Sequence, residues 1–383
     1  NSPWHESYHD LWNSHIGIDI GGHLLELNLR EWINDLGMVL FFFVAGLEIK
    51  REITEGELSD RRQAALPIIG AIGGMIVPAA IFALLNAGGE GSSGWGIPMA
   101  TDIAIVVGIV TLLGTRAPSW AKIFLLALAI VDDIGAIVVI AVFYSDGVSF
   151  TWLGIAIGSF VLAAAIKNRV PFISAYLAIG GVCWFALHQA HIHPTLAGVA
   201  FGLLAPVRPR QTRVLVDENA LGEHPGYDAA FKLSRQARES VSIVEWLVHR
   251  LHPWSAFVVV PVFALANAGV RIETSELGGM GTNPVTWGVI LGLVVGKTIG
   301  ISAFTLLAVA TKIGRLPKGV TPRYVIGAGA LGGIGFTVSL FVTELAFGES
   351  ILAEDARLGV VVASLIAALF GSAIIVPGHV DED

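Results

Sequence analysis

Two carboxylates stand side by side in AIVDDIGAIV. Asp132 and Asp133 lie in the middle of a 22-residue apolar run, Ile123 to Tyr144, that holds no other charge. A run of that length and composition reads as a transmembrane helix. An ionised carboxylate at membrane depth costs several kcal/mol on any scale, so such a pair persists where something binds it. Carboxylate oxygens can hold a proton or a hard cation, and the two compete for the same lone pairs. Consecutive helix positions point ~100° apart, so Asp132 and Asp133 cannot share one partner equally. One can pair with a base while the other faces a cavity. The only base at comparable depth is Lys297, in LVVGKTIGIS. A Lys–Asp pair relieves the desolvation of both groups. A purely structural pair explains Lys297 and one aspartate and leaves the other uncompensated.

A third acid, Asp102, follows Pro98 and adjoins Thr101 in GWGIPMATDIAIVV. Far along the chain, GAGALGGIGFTVS places Gly327, Gly329, Gly332, Gly333 and Gly335 within nine residues, a density that weakens a helix. Such a stretch suits either a small-residue packing interface or an interrupted helix. Interrupted helices leave N–H and C=O ends in mid-membrane, carrying partial positive and negative charge. An anion such as Asp102 then neutralises N-termini, and a cation such as Lys297 neutralises C-termini.

The elements that must position these groups are membrane spans. The 383 residues are 54% hydrophobic and 14% charged, with a mean hydropathy of +0.72, against roughly 25% charged residues in a soluble domain. Eleven spans are expected: Ile33–Ile49, Ala64–Leu85, Gly94–Leu113, Ala121–Tyr144, Thr151–Ile166, Phe172–His188, Thr195–Pro206, Trp254–Val270, Thr286–Ala310, Tyr324–Phe347 and Leu358–Val376. The alternating polarity of an outer-membrane barrel is absent. The single cysteine, Cys183, lies in an apolar run and reads as a small buried hydrophobe.

Charge placement orients the spans. Of the 23 basic residues, nineteen fall in alternate loops: Lys50, Arg51, Arg61 and Arg62; Arg116 and Lys122; Lys167 and Arg169; Arg208, Arg210, Arg213, Lys232, Arg235, Arg238 and Arg250; and Lys312, Arg315, Lys318 and Arg323. The other side has Arg30, Arg271 and Arg357, and Lys297 remains in mid-span. Residue 1 is thereby expected outside and the C-terminus in the cytoplasm. The opening NSPWHESYHDLW lacks the form of a signal peptide. An external start without one leads us to expect a further span upstream.

The expected organisation is an external segment over residues 1–30, a first bundle over 31–206, a cytoplasmic linker over 207–248, a second bundle over 249–377 and a cytoplasmic tail over 378–383. In the external segment, HIGIDIGGHLLELNL partly alternates around Gly21-Gly22, a hairpin signal whose edge can pair with a second copy. The later linker, YDAAFKLSRQARESVSIVEWLVHRL, has the pattern of an amphipathic surface helix. No phosphate-binding glycine loop occurs, which argues against transport driven by ATP hydrolysis on this chain. Spans two to four and nine to eleven form triplets of opposite direction, with the interrupted candidate in the middle of each. Weak spans at matching places in inverted halves point to a transporter site.

These residues fall into a recognisable set. ATDIA (100–104), VDDIGAI (131–137), FFFVAGLEIKRE (41–52), LHPWSAF (251–257), PVFALANAGV (261–270), GKTIGIS (296–302) and GGIGFTVSLF (332–341) resemble the NhaA-type bacterial sodium/proton antiporters, in family order and across nearly the whole chain. That family is a type example of inverted-repeat transporters. The resemblance implies an all-α polytopic membrane protein with inverted three-helix repeats, two interrupted crossing helices and a short external β-hairpin. It implies twelve spans with both termini cytoplasmic, the first being the one this chain lacks.

For function, the resemblance implies an electrogenic, pH-regulated exchange of intracellular sodium or lithium for external protons across the bacterial inner membrane. No cofactor, enzymatic activity or nucleic-acid partner is implied. Asp133 would be the principal sodium and proton carboxylate, and Asp132 its neighbour pairing with Lys297. Asp102 and Thr101 would sit at the helix crossing. Glu48, Arg51, Glu52, His249 and His252 would serve pH regulation, and residues 15–29 a homodimer contact. The chain departs from the best-known members at a longer Val207–Val248 loop, at Val248 in place of an expected acid, and at His224, which aligns with no family histidine.

Two other classes use similar parts. An intramembrane aspartyl protease needs two acids sharing a proton from opposed positions, whereas neighbours on one helix diverge. A sodium-coupled organic-solute symporter needs polar groups for its solute, and few are evident beyond Thr101 and Thr337.

Overall fold

Helix signals in the sequence translate into thirteen helices and one hairpin among the described residues. A computed structural model describes residues 5–20, 23–145, 147–167, 173–207, 242–269, 283–317, 319–348 and 350–376. In chain order the elements are α1 (His5–Trp12), β1 (His15–Ile20), β2 (His23–Asn28), α2 (Leu29–Glu55), α3 (Arg61–Leu85), a 3-10 segment (Glu90–Met99), α4 (Ile103–Leu113), α5 (Ser119–Phe143), α6 (Phe150–Ile166), α7 (Ile173–Gln189), α8 (Thr195–Leu204), α9 (Ile243–Asn267), α10 (Pro284–Ala310), α11 (Pro322–Leu331), α12 (Phe336–Phe347) and α13 (Ile351–Ile375).

Each of the eleven expected spans is mainly helical over its described residues. Among the described residues, six helices are long and apolar enough to cross a membrane, and counting each of two bent pairs as one span raises the number to eight; α6 and α8 are shorter apolar helices. The bent pairs are the two that glycine and proline marked. The 3-10 segment meets α4 at 42°, and α11 meets α12 at 49°. The all-α polytopic class, the interrupted helices and the hairpin therefore stand as expected. In the hairpin, β1 pairs with β2 antiparallel, His15 opposite Asn28 and Ile20 opposite His23.

One boundary moves. The eighth span was expected from Trp254, after a separate amphipathic helix; instead α9 begins at Ile243 and continues through Pro253 to Asn267. Its start is capped by the Ser242 hydroxyl, which accepts from the Glu245 amide at 3.0 Å. Val244 and Val248 bury against Leu47, with Phe43 and Leu247 alongside. That packing holds the first turns as part of the long helix. Most of the expected linker, residues 208–241 and with it His224, lies outside the described residues.

The chain divides into two units, each assembled from separated stretches: Asn1–Met38, Glu57–Asp146 and Val260–Asp383 in one, Val39–Gly56 and Gly147–Val259 in the other. In the first, α10 lies along α3, and α13 packs on α10, α11 and α12. Its core draws Leu66, Val110, Leu125, Ile301, Ala328 and Ala367 from six different helices. Small residues set the closest approach: a Cβ on Gly73 would meet the Gly300 carbonyl and the Phe304 side chain. Without side chains at the contact, two helix backbones come near enough to bury a polar group between them. A reciprocal amide pair, Asn34 with Asn267 at 2.7 and 3.2 Å, fixes the start of α2 against the end of α9. In the second unit, α6, α7 and α8 share a core of Ala156, Cys183, Ala186, Leu187 and Ala197, with Cys183 buried as expected.

Candidate ion site at the crossing of two broken helices

Both breaks expose backbone ends, and buried side chains meet them. The chain leaves the 3-10 segment at Met99, runs extended through Ala100 (ψ 151°), and enters α4 after Asp102. The second break spans Gly332 to Gly335, between α11 and α12. The two breaks touch through backbone: the Asp102 amide donates to the Ile334 carbonyl at 2.6 Å.

Asp102 serves both helix N-termini at once. Its Oδ1 accepts from the Ile105 amide at 3.1 Å in the first turn of α4. Its Oδ2 accepts from the Thr337 amide at 3.0 Å and the Thr337 hydroxyl at 2.6 Å in the first turn of α12. Two partial positive ends share one negative charge. The side chain is only 2% exposed, so these donors replace water.

The opposite polarity is met by Thr101, Lys297 and Asp132. The Thr101 hydroxyl lies 2.8 Å from the Gly332 carbonyl, at the C-terminal end of α11, and 2.7 Å from Asp132 Oδ2. Holding one proton, it donates to one of these oxygens at a time. Lys297 Nζ donates to the Thr101 Oγ1 at 3.0 Å and to Asp132 Oδ2 in direct ion-pair contact. Thr101, Asp132 and Lys297 are all fully buried. Asp132 Oδ1 is buried too and accepts no hydrogen bond among the described residues. A buried ion pair with one oxygen unused is costly unless geometry and further donors compensate.

Asp133, the next residue on α5, is 3% exposed and within electrostatic range of Lys297. Asp102, Thr101, Asp132, Asp133 and Lys297 thus belong to one unit, and four of them join a single hydrogen-bonded crossing. The regulatory candidates belong to the other unit. There His252 Nδ1 lies 3.0 Å from Glu48 Oε1. His249, one turn earlier on α9, is exposed; Arg51 is partly buried and Glu52 buried. Val248 packs against Leu47 and Val244, an apolar setting that would desolvate an acid.

Thr337 was read from sequence only as a polar group, not as part of the ion site. The signal was present: it stands two residues after Gly335, where the first turn of a restarted helix presents its amides. The carbonyls of Gly332 and Ile334 had no signal, because backbone acceptors carry no residue identity.

The family model described as Na+/H+ antiporter 1 matches residues 1–375. The chain is 46% identical over 381 residues to Na(+)/H(+) antiporter NhaA 3 of Frankia alni, covering 98% of this chain and 82% of that protein. It is 44% identical over 389 residues to NhaA 2 of Sorangium cellulosum, covering 98% and 83%. It is 42% identical over 373 residues to NhaA 1 of Mycobacterium sp. strain JLS, covering 96% of this chain and 61% of that longer protein. With a family model spanning nearly every residue and relatives at this identity over most of their length, the chain belongs to the Na+/H+ antiporter 1 family of multi-pass membrane transporters.

Proposed function

We propose that this transporter exchanges cytoplasmic sodium or lithium for external protons across the bacterial inner membrane, with Asp133 as the principal carrier carboxylate. The observation that carries the reading is the buried Lys297–Asp132 pair at the helix crossing, next to a second carboxylate on the same apolar helix. Sodium is a hard cation that seeks oxygen ligands, by analogy with calcium and magnesium. Asp133, the unused oxygen of Asp132, and backbone carbonyls at the breaks supply such ligands.

The cycle follows from competition. When the site faces outward, protons displace sodium from the carboxylates. When it faces inward, protons leave and sodium enters. Sodium on Asp132 weakens its hold on Lys297, and the lysine proton then takes part in the exchange. Each turnover then moves more than one proton per sodium ion, which makes exchange electrogenic. Alternating exposure through motion of one bundle completes the cycle.

In this reading Glu48, Arg51, Glu52, His249 and His252 set the pH at which the transporter is active. The Glu48–His252 contact supports that role, since it strengthens when the imidazole gains a proton.

The test is sodium-driven proton efflux from proteoliposomes, followed with a pH-sensitive dye. Asp133→Asn is expected to abolish it, and efflux surviving in that variant sinks the assignment. Competition also sets a sign. Raising the pH deprotonates the carboxylates, so the apparent sodium constant is expected to fall with pH until protonation no longer limits. An apparent constant independent of pH across the active range contradicts shared ligands.

A further inference from the structure

Lys297 is delivered to Asp132 by an irregular turn. The helix α10 is continuous from Pro284 to Ala310, yet residues Gly292–Gly296 form a π turn within it. The turn is closed by Lys297 itself, whose backbone amide donates to the Gly292 carbonyl five residues back. In an α-helix the same amide would take the Leu293 carbonyl. That carbonyl instead lies against Gly333 at the break between α11 and α12, where a Cβ would collide with it.

A π turn is one residue inserted into an α-helix, so it changes the phase between the two halves by about 100°. Both halves are independently fixed. The first packs on α13 and α3, the second on α3 and α11. The glycines at the ends of the turn sit against prolines: a Cβ on Gly292 would lie 2.7 Å from Pro98 Cβ, and one on Gly296 would lie 2.8 Å from Pro78 Cα. Pro98 belongs to the 3-10 segment that leads into Thr101 and Asp102, and Pro78 lies inside α3.

We infer that the π turn Gly292–Gly296, seated on Pro78 and Pro98, is the positioning device that aims Lys297 at Asp132 and Thr101. Gly292 and Gly296 are its positioning residues. Conversion of the turn to α geometry rotates Lys297 off Asp132 and withdraws the Leu293 carbonyl from the crossing. This rests on the reading of Lys297 and Asp132 as exchange partners. It adds that the direction of the lysine is set by backbone geometry, in a place where the helix can change register without unfolding.

Alanine at either glycine crowds the proline and favours a regular helix. The full chain, reconstituted, is assayed for sodium-driven proton flux against pH in Gly296→Ala, Gly292→Ala, Lys297→Gln and Gly359→Ala. Gly359 is the packing control. Its Cβ would crowd the first half of α10 at the Thr286 carbonyl, 3.0 Å away, outside the turn.

The expected result is that Gly296→Ala and Gly292→Ala move the pH profile in the same direction as Lys297→Gln, by about half a unit or more. Gly359→Ala should lower only the melting temperature and the amount of folded protein. If the two glycine variants change flux only in proportion to folded protein, while Lys297→Gln shifts the profile, the inference fails and the lysine reading stands. If Lys297→Gln itself leaves the profile unmoved, both fail.

A second measurement needs no exchange. In a Cys183→Ala background, Asp132→Cys and Lys297→Cys are joined in native membranes by a short bifunctional thiol reagent. Adding Gly296→Ala should cut the linked fraction several-fold. An unchanged fraction overturns the inference even where flux cannot be read.

Discussion

Asp102 shows how one buried carboxylate is held by the starts of two helices. It holds three donors from two helix starts with two oxygens. Hydrogen bonds to a charged group contribute about 1.5–3 kcal/mol each, more when breakage strands a buried donor. Asp102→Asn keeps one carbonyl oxygen and turns the other position into a donor facing donors. Asp102→Ala removes every acceptor. The expected order in thermal melting and in exchange is therefore wild type, then Asn, then Ala, with Ala the most damaged. Equal behaviour of Asn and Ala contradicts the idea that accepting capacity is what matters at 102.

At the scale of elements, the site exists because two helices stop in mid-span and a third approaches closely. The breaks follow from glycine density around Gly332–Gly335 and from the extended Ala100–Thr101 step after Pro98. The approach of α10 to α3 follows from Gly73 opposite Gly300. Enlarging Gly73 should separate these helices. Gly73→Val is expected to cost about 1–3 kcal/mol of stability, read as a lower melting temperature in detergent. It should weaken exchange beyond the loss of folded protein, because Lys297 is carried on the displaced helix. Normal melting and exchange in this variant would show that the seam tolerates a gap.

For the whole molecule, the hairpin stands apart from ion chemistry. Its strands pair with each other, and the Trp32 indole donates to the Ile16 carbonyl at 3.1 Å, tying the hairpin to the start of α2. A two-stranded sheet is marginal alone and keeps unpaired edges. We expect it to pair with a second copy of the chain. Removing residues 15–29 should then shift the protein in detergent from dimer to monomer mass, by light scattering or native mass spectrometry, with little change in per-protomer exchange. A variant that remains dimeric locates the contact elsewhere.

The sequence by itself determined much of this protein. Eleven apolar runs, basic residues in alternate loops, and two weakened spans at matching places specify a polytopic helical transporter, because a bilayer permits few alternatives for a backbone that must satisfy its own hydrogen bonds. The sequence also singled out Asp102, Asp132, Asp133 and Lys297, since ionisable groups at that depth stand out against apolar neighbours. It left open which aspartate meets Lys297, because spacing on one helix says only that two neighbours diverge. The tertiary structure placed the lysine on Asp132 through the phase of α10, and that phase depends on a π turn that no periodicity announces. It also made Thr337 a partner of Asp102, joining residues 235 positions apart. It extended α9 back to Ile243, where the apolar face of the amphipathic stretch, Val244 and Val248, buries against Leu47 and makes that stretch the first turns of the span. Such outcomes depend on which backbone ends come within hydrogen-bond reach across the fold, and a linear pattern of side chains does not encode that reach.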